Sequence, residues 1–359
     1  MPTESSKALV SEVFGKLPDG TEIQAFTLSN QNGMRVKVIN YGAIIAECWV
    51  PDRNGDLANV VLGFDNLPQY VAKHPRFGST IGRYANRISN AQFEIDGVTY
   101  KLTPTKGTTS THGGVIGFDK KVWDIEDSGE NEHESWVTLH YLSKDMEEGF
   151  PGNLDVSIKF TLWKSSNDLL LRYFATTDKA TPVNLTNHSY FNLKGAGNGD
   201  ILDHKASFNA TFYTPLNADM VPTGEVAPVK GTPYDFSERT RIGDRIDKTD
   251  GGYDINLVIQ MRPGDIEGLG SVIDPDSGRC LTVYTDQPAF QFFTANQLDG
   301  SIHGNGGSYP KFGGFCLETQ CYPNSVNQPN FPTSVLRPGG TYGHYTQFSF
   351  TNLPSDIEI

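Results

Sequence analysis

FEIDGVTYKL, residues Phe93–Leu102, decides the fold class. Apolar side chains alternate with polar ones on both sides of Asp96-Gly97, and an Asp-Gly pair suits the two-residue hairpin turn whose central positions both need positive φ. The same period of two recurs at Val137, Leu139 and Tyr141, and at Val156, Ile158, Phe160 and Leu162. Further β-rich runs occupy 34–50, 168–178, 181–193, 255–260 and 341–351, and Ser271 to Thr285 read as a second hairpin turning between Asp274 and Gly278. Helical periodicity is confined to two short candidates, 65–73 and 237–247. Without helices to make βαβ crossovers a parallel sheet is excluded, so the expected fold is all-β: a large antiparallel β-sandwich with few short helices. No repeat, low-complexity tract or Pro/Ser linker divides the chain, and residues 1–359 are expected to form one domain.

Charge and composition narrow the function. A formal net charge of −13, with no run of three Lys or Arg, argues against a nucleic-acid partner. With 21 Phe, 15 Tyr and 4 Trp the chain can bury a substantial core, and no apolar stretch approaches the roughly 18 residues of a membrane-spanning helix. MPTESSKALVSEVFG lacks a basic segment followed by an apolar one, so a cytoplasmic location is expected, with monomer and homodimer both open. Cys48, Cys280, Cys316 and Cys321 are too few for a disulfide scaffold and fit no common zinc spacing, and they read as buried free thiols. The sequons at Asn184, Asn187 and Asn209 carry no meaning in a cytosolic protein.

The chemistry-bearing residues fall in four places. In VNLTNHSYFNL, residues 183–193, alternation puts Asn184, Thr186, His188, Tyr190 and Asn192 on one face and Leu185, Phe191 and Leu193 on the other. A face this rich in hydrogen-bonding groups, yet without Lys, Glu or Arg, suits a polyhydroxylated ligand, although a polar strand face can equally be a solvated one. In FCLETQCY, residues 315–322, Glu318 and Gln320 share a face while Phe315 and Leu317 point away, so the carboxylate is either partnered or functional. GRYANRI, residues 82–88, supplies Arg83, Arg87 and Asn86, and His112 stands in the turn T-H-G-G. A lone Arg is more often an ion pair, and such a His more often a capping imidazole.

Taken together these residues resemble the aldose 1-epimerase (galactose mutarotase) family in order, wording and spacing, from about Asn32 to Phe350. The resemblance rests on GRYANRI at 82–88, HGG with GFDK and Trp123 at 112–123, EEGFPG at 147–152, TPVNLTNHSYFNL at 181–193, VPTGEVAPV at 221–229, GGYD at 251–254, QFFTAN at 291–296 and GFCLETQCYPNSVNQPNFP at 314–332. It implies a β-sandwich of the galactose-mutarotase type that holds a small-molecule sugar in an open cleft across one sheet. Carried over by position, it implies Glu318 as general base, His188 as general acid, and Asn86, Arg87, His112, Asp254 and Gln291 as the sugar-binding set, with no metal and no organic cofactor.

An aldopyranose changes anomer when O1–H is deprotonated while the ring oxygen is protonated, C1 rotates in the open aldehyde, and the steps reverse. On this reading a carboxylate and an imidazolium start the reaction at neutral pH, and a neighbouring carboxylate such as Asp254 would keep the imidazole charged. The chain departs from the family at Ile255-Asn256, where many relatives carry a histidine after the aspartate, and at Asn324, where they commonly carry Asp. These departures leave room for another hemiacetal or lactol substrate. Two other classes remain for comparison: a carbohydrate-binding protein without catalysis, and a glycoside hydrolase using Asp254 with Glu318.

Overall fold

The computed structural model describes residues 9–262 and 264–353; the start of the chain, searched above for a leader pattern, lies largely outside the described residues. The Phe93 hairpin forms as expected: Gln92–Ile95 pairs with Val98–Lys101, and Asp96 and Gly97 both take positive φ, 54° and 80°. The second hairpin forms between Glu267–Ile273 and Arg279–Thr285. Run 34–50 is itself a hairpin, Arg35–Ile39 against Ile44–Pro51.

Three antiparallel sheets dominate. A five-stranded meander runs in chain order from Leu9–Lys16 to Leu57–Asn59. A nine-stranded sheet is centred on Leu154–Trp163, Asp168–Thr177 and the C-terminal strand Tyr342–Asn352. A second five-stranded sheet ends in the neighbours Asp254–Ile259, Ala289–Phe293 and Cys316–Gln320. Between the last two lies the main core. Val137, Leu139, Val156, Ile158, Phe160 and Leu162 are wholly buried in it, and Phe208 from the large sheet meets Phe290 and Phe292 from the small one at 5.2 and 5.1 Å. Burying each such side chain contributes about 1.5–3 kcal/mol. All four cysteines are buried and free. Among the described residues no helix is long and apolar enough to cross a membrane.

The structure corrects the sequence reading in three places. Candidate helix 65–73 shortens to Leu67–Val71, started by the Asn66 side chain accepting from Gln69 N–H, and 237–247 becomes a 3₁₀ segment at Ile242–Lys248. Residues 181–193 are not one strand: only Thr181–Pro182 and Thr186–His188 pair as strands, and the whole stretch is buried, Asn184 and Asn187 included. Its amides clamp loops instead of extending a ladder. The Asn184 side chain accepts from Cys321 N–H and donates to Ala85 O, and Asn192 Nδ2 donates to Gly199 O and Gly313 O.

Arg83 fastens GRYANRI to the body of the protein. Its fully buried guanidinium donates to the carbonyls of Pro151, Gly152, Ser143 and Lys144 and to the hydroxyls of Ser143 and Thr181, at 2.7–3.3 Å. The EEGFPG stretch is thus an acceptor cradle for a cation. Its Glu148 also accepts the N–H groups of Val115 and Ile116, tying down the loop that follows His112. Arg83→Met strands these acceptors without a donor, at about 1–3 kcal/mol for each one left unsatisfied. The variant is expected to lose at least about 3 kcal/mol, read as a lower urea midpoint at unchanged slope; an unmoved midpoint would contradict this role.

Candidate active site

Register places the chemistry on one face of the smaller sheet. Gln291 stands opposite Glu318 on one side and Asn256 on the other, and Phe293 stands opposite Cys316 and Asp254. Because side chains alternate, Asp254, Asn256, Gln291, Phe293, Cys316, Glu318 and Gln320 emerge together, while Ile255, Leu257, Phe290, Phe292 and Leu317 enter the core behind. Over this face lie His188, Asn86 with Arg87, and His112. The seven residues singled out from sequence, Asn86, Arg87, His112, His188, Asp254, Gln291 and Glu318, all line one cleft of about 510 Å³.

The loops above the sheet are interlocked. Asn86 N–H donates to His112 Nδ1 at 3.2 Å and His112 N–H to Asn86 O at 2.9 Å, both residues sitting in left-handed backbone. Gly113, at φ 82°, lies so close that a Cβ there would meet Gly82 O at 1.9 Å, so only glycine fits. A backbone N–H can only donate, so His112 Nδ1 is an acceptor and Nε2 carries the proton of the neutral ring.

A chain of amides fixes the acidic end of the cleft. Gln291 Oε1 accepts from Asn86 Nδ2 at 3.0 Å and Gln320 Nε2 at 3.2 Å, which forces Gln291 Nε2 toward Asp254 Oδ1, 2.5 Å away. Arg87 Nη2 takes the other Asp254 oxygen at 3.0 Å, so the ion pair considered for Arg87 exists, in a side chain that also lines the cleft. Gln320 is held in turn by Asn256 Oδ1 at 2.9 Å. With both Asp254 oxygens engaged, the freer carboxyl is Glu318, which is buried and, among the described residues, has no hydrogen bond to Oε2.

Glu318 Oε2 lies 3.6 Å from His188 Nε2, and the His188 ring stacks on Tyr190 at 4.9 Å and 6°. Burial, with the charge of Asp254 adding, pushes the Glu318 carboxyl up to about 8. Burial, with Arg76 adding, pulls the His188 imidazole down to about 3, and burial takes His112 well below its usual value. The cleft therefore favours the neutral pair over the carboxylate and imidazolium expected from sequence: Asp254 is spent on Arg87 and Gln291 and does not hold the imidazole charged.

Sequence reasoning missed two contributors and gave a third, Gln320, no role. Arg76 lines the cleft and acts on Glu318, His188 and His112, but a lone Arg in KHPRFG gives no signal. Cys316 and Gln320 flank Glu318 on its own face, as alternation in FCLETQCY allowed one to read. Among the described residues, His112, His188 and Glu318 also place three ligand-type atoms within 4.8 Å of one another, close enough for a metal ion. The Nε2 proton of His112 makes it a donor toward oxygen, a poorer match to a cation than to a sugar hydroxyl.

Comparison with known proteins converges on one family. The aldose 1-epimerase family model matches residues 24–349. The galactose mutarotase of Homo sapiens is 44% identical over 344 residues, covering 94% of this chain and 97% of the relative, and that of Sus scrofa is 42% identical over 349 residues, covering 96% and 99%. The aldose 1-epimerase of Haemophilus influenzae is 38% identical, covering 93% and 97%. Among solved structures, a galactose 1-epimerase from Lactobacillus acidophilus superposes with a TM-score of 0.83 at 27% identity, covering 96% of this chain and 99% of the other.

The raised Glu318 value has a sign that stability measurements can read. Between the ordinary 4.5 and about 8 the folded chain holds a proton that the unfolded chain has released, so wild-type stability falls as pH rises through that window. Glu318→Gln never ionises. Its melting temperature relative to wild type is expected to climb from pH 4.5 to 8 and then level off, and a difference independent of pH would count against the raised value.

Proposed function

This chain belongs to the aldose 1-epimerase family, and we propose that within it Glu318 is the general base and His188 the general acid of mutarotation. The activity is the interconversion of the α and β anomers of an aldose, and galactose and glucose are the proposed substrates. The observation that carries the residue assignment is the unpartnered Glu318 Oε2, buried at 3.6 Å from His188 Nε2. The neutral pair carries one proton, on Glu318, and passing it to His188 Nε2 gives the reactive form, in which Arg87 stabilises the Glu318 anion. In that form Glu318 takes the proton from O1–H. The O1–H electron pair becomes the second C1–O1 bond, the C1–O5 pair moves onto O5, and His188 Nε2–H protonates it. Rotation about C1–C2 and the reverse transfers give the other anomer, the two groups exchanging roles.

The remaining groups orient the sugar. His112 Nε2–H and Arg87 are donors for sugar oxygens, Asp254 and Gln291 are held in one hydrogen-bonding sense by the amide chain, and Asn86 positions both His112 and Gln291. Phe293 and Tyr190 give the cleft its ring surfaces. A binding protein would gain nothing from an acid and a base juxtaposed in this way, and a hydrolase needs a second free carboxyl where Asp254 is committed. Packing of one main core from Phe26 to Phe350 supports a single domain, and four free thiols suit the cytoplasm.

Glu318→Gln is expected to lower kcat by about 10²–10⁴-fold in polarimetry on freshly dissolved α-galactose or α-glucose, with binding spared; a variant keeping more than half the rate would remove Glu318 from this role. The pH dependence of kcat/KM belongs to the pair. Below about 8 the pair retains its shared proton and above it that proton is lost, so kcat/KM should fall as pH rises through about 8. Dialysis against EDTA should leave the rate unchanged, and loss restored by a metal would reopen the role of the His112, His188 and Glu318 cluster.

A further inference from the structure

One strand grips both nitrogens of the His188 ring. Glu318 faces Nε2, and Cys316, two residues earlier on the same face, places Sγ 3.5 Å from Nδ1. Residues i and i+2 of a strand stand about 6.5 Å apart, enough to flank an imidazole edge to edge. Cys316 is wholly buried in a satellite core with Leu62, Tyr190 and Ala46. Stacking on Tyr190 fixes the plane of the His188 ring but not which nitrogen carries the proton. That choice decides the chemistry: if His188 exchanges protons with the sugar through Nε2, the Nδ1 proton must stay in place through the whole cycle.

We propose that Cys316 is a positioning residue whose sulfur accepts the Nδ1–H of His188 and so confines proton exchange to Nε2. The inference rests on the reading of His188 as the acid. A carboxylate in this place would stabilise the imidazolium and blunt it as an acid. A buried thiol does not: burial pushes Cys316 well above its usual value, so it remains neutral and acts as a weak acceptor. With Nδ1 protonated, the neutral ring also turns a lone pair toward Glu318 Oε2, the atom with which it shares its proton. The sulfur therefore sets direction without adding charge.

Three variants and one spectrum test this. In ligand-free protein at pH 7, ¹⁵N NMR of imidazole-labelled chain should show His188 neutral with its proton on Nδ1, in the wild type and in Cys316→Ser, whose hydroxyl also accepts. Cys316→Ala should lose that preference, with kcat lowered about tenfold, KM within about twofold of wild type, and most of the rate regained by Ser. A wild-type ring protonated on Nε2, an Ala variant with normal kcat, or Ser no better than Ala would each overturn the proposal. Should the Ala variant fail to fold, the tautomer in wild type and Ser decides. His188→Asn separates the two readings: if it keeps mutarotation, the acid assignment falls, whereas a normal Cys316→Ala beside an inactive His188→Asn sinks only the role of the thiol.

Discussion

A guanidinium that, among the described residues, has no counter-ion in hydrogen-bonding contact sits at the root of the cleft. Arg83 is drawn out of water and satisfied by carbonyl and hydroxyl oxygens of segments near residues 143, 151 and 181, so stretches distant from it in sequence are held to one point. Taking a charge out of water is costly, and it is tolerated when the hydrogen bonds around it are nearly complete. Such a cluster has little freedom to relax. Asn86 and Arg87, three and four residues on, inherit that rigidity, and through Asn86 so do His112 and Gln291. Asn86 and His112 come from loops, yet they behave as parts of the sandwich.

Dry surroundings shape the chemistry in the same way. Packing on the cleft face, where Tyr190 and Cys316 belong to a satellite core, strips water from Glu318 and His188 and penalises both charged forms. In the mechanism proposed above, one proton leaves O1 and another reaches O5, so the pair must pass a proton between its members.

Much of this could be read from the sequence. The hairpins at Asp96-Gly97 and Asp274–Gly278, the alternation at Val156–Leu162 and the opposed faces of FCLETQCY follow from local turn chemistry and a period of two, and the structure keeps them. Residues 181–193 misled because alternation describes a strand only where neighbours offer a ladder; here Asn184 and Asn192 find carbonyls and N–H groups in loops, and the backbone follows them. The two arginines of GRYANRI look alike as letters. Only the fold separates Arg83, spent on carbonyls, from Arg87, which pairs with Asp254 at the cleft. Nor could the protonation of Glu318 and His188 be read, since it depends on burial that no local pattern reports.

Asn184 and Asn187 each begin an Asn-x-Ser/Thr triplet, and both side chains end up inside the protein, bonded to loop atoms that an attached glycan would displace. For the folded chain these triplets are inert, because no transferase can reach them. For a nascent chain they are not. Routed through a secretory pathway for production, the polypeptide would expose both acceptors before its sheets close, and a sugar tree added there could not be accommodated once Cys321 and Gly78 took up their places beside these asparagines. Yield in such a host becomes a race between closure of the sandwich and oligosaccharide transfer, one that expression in a compartment without that transferase avoids.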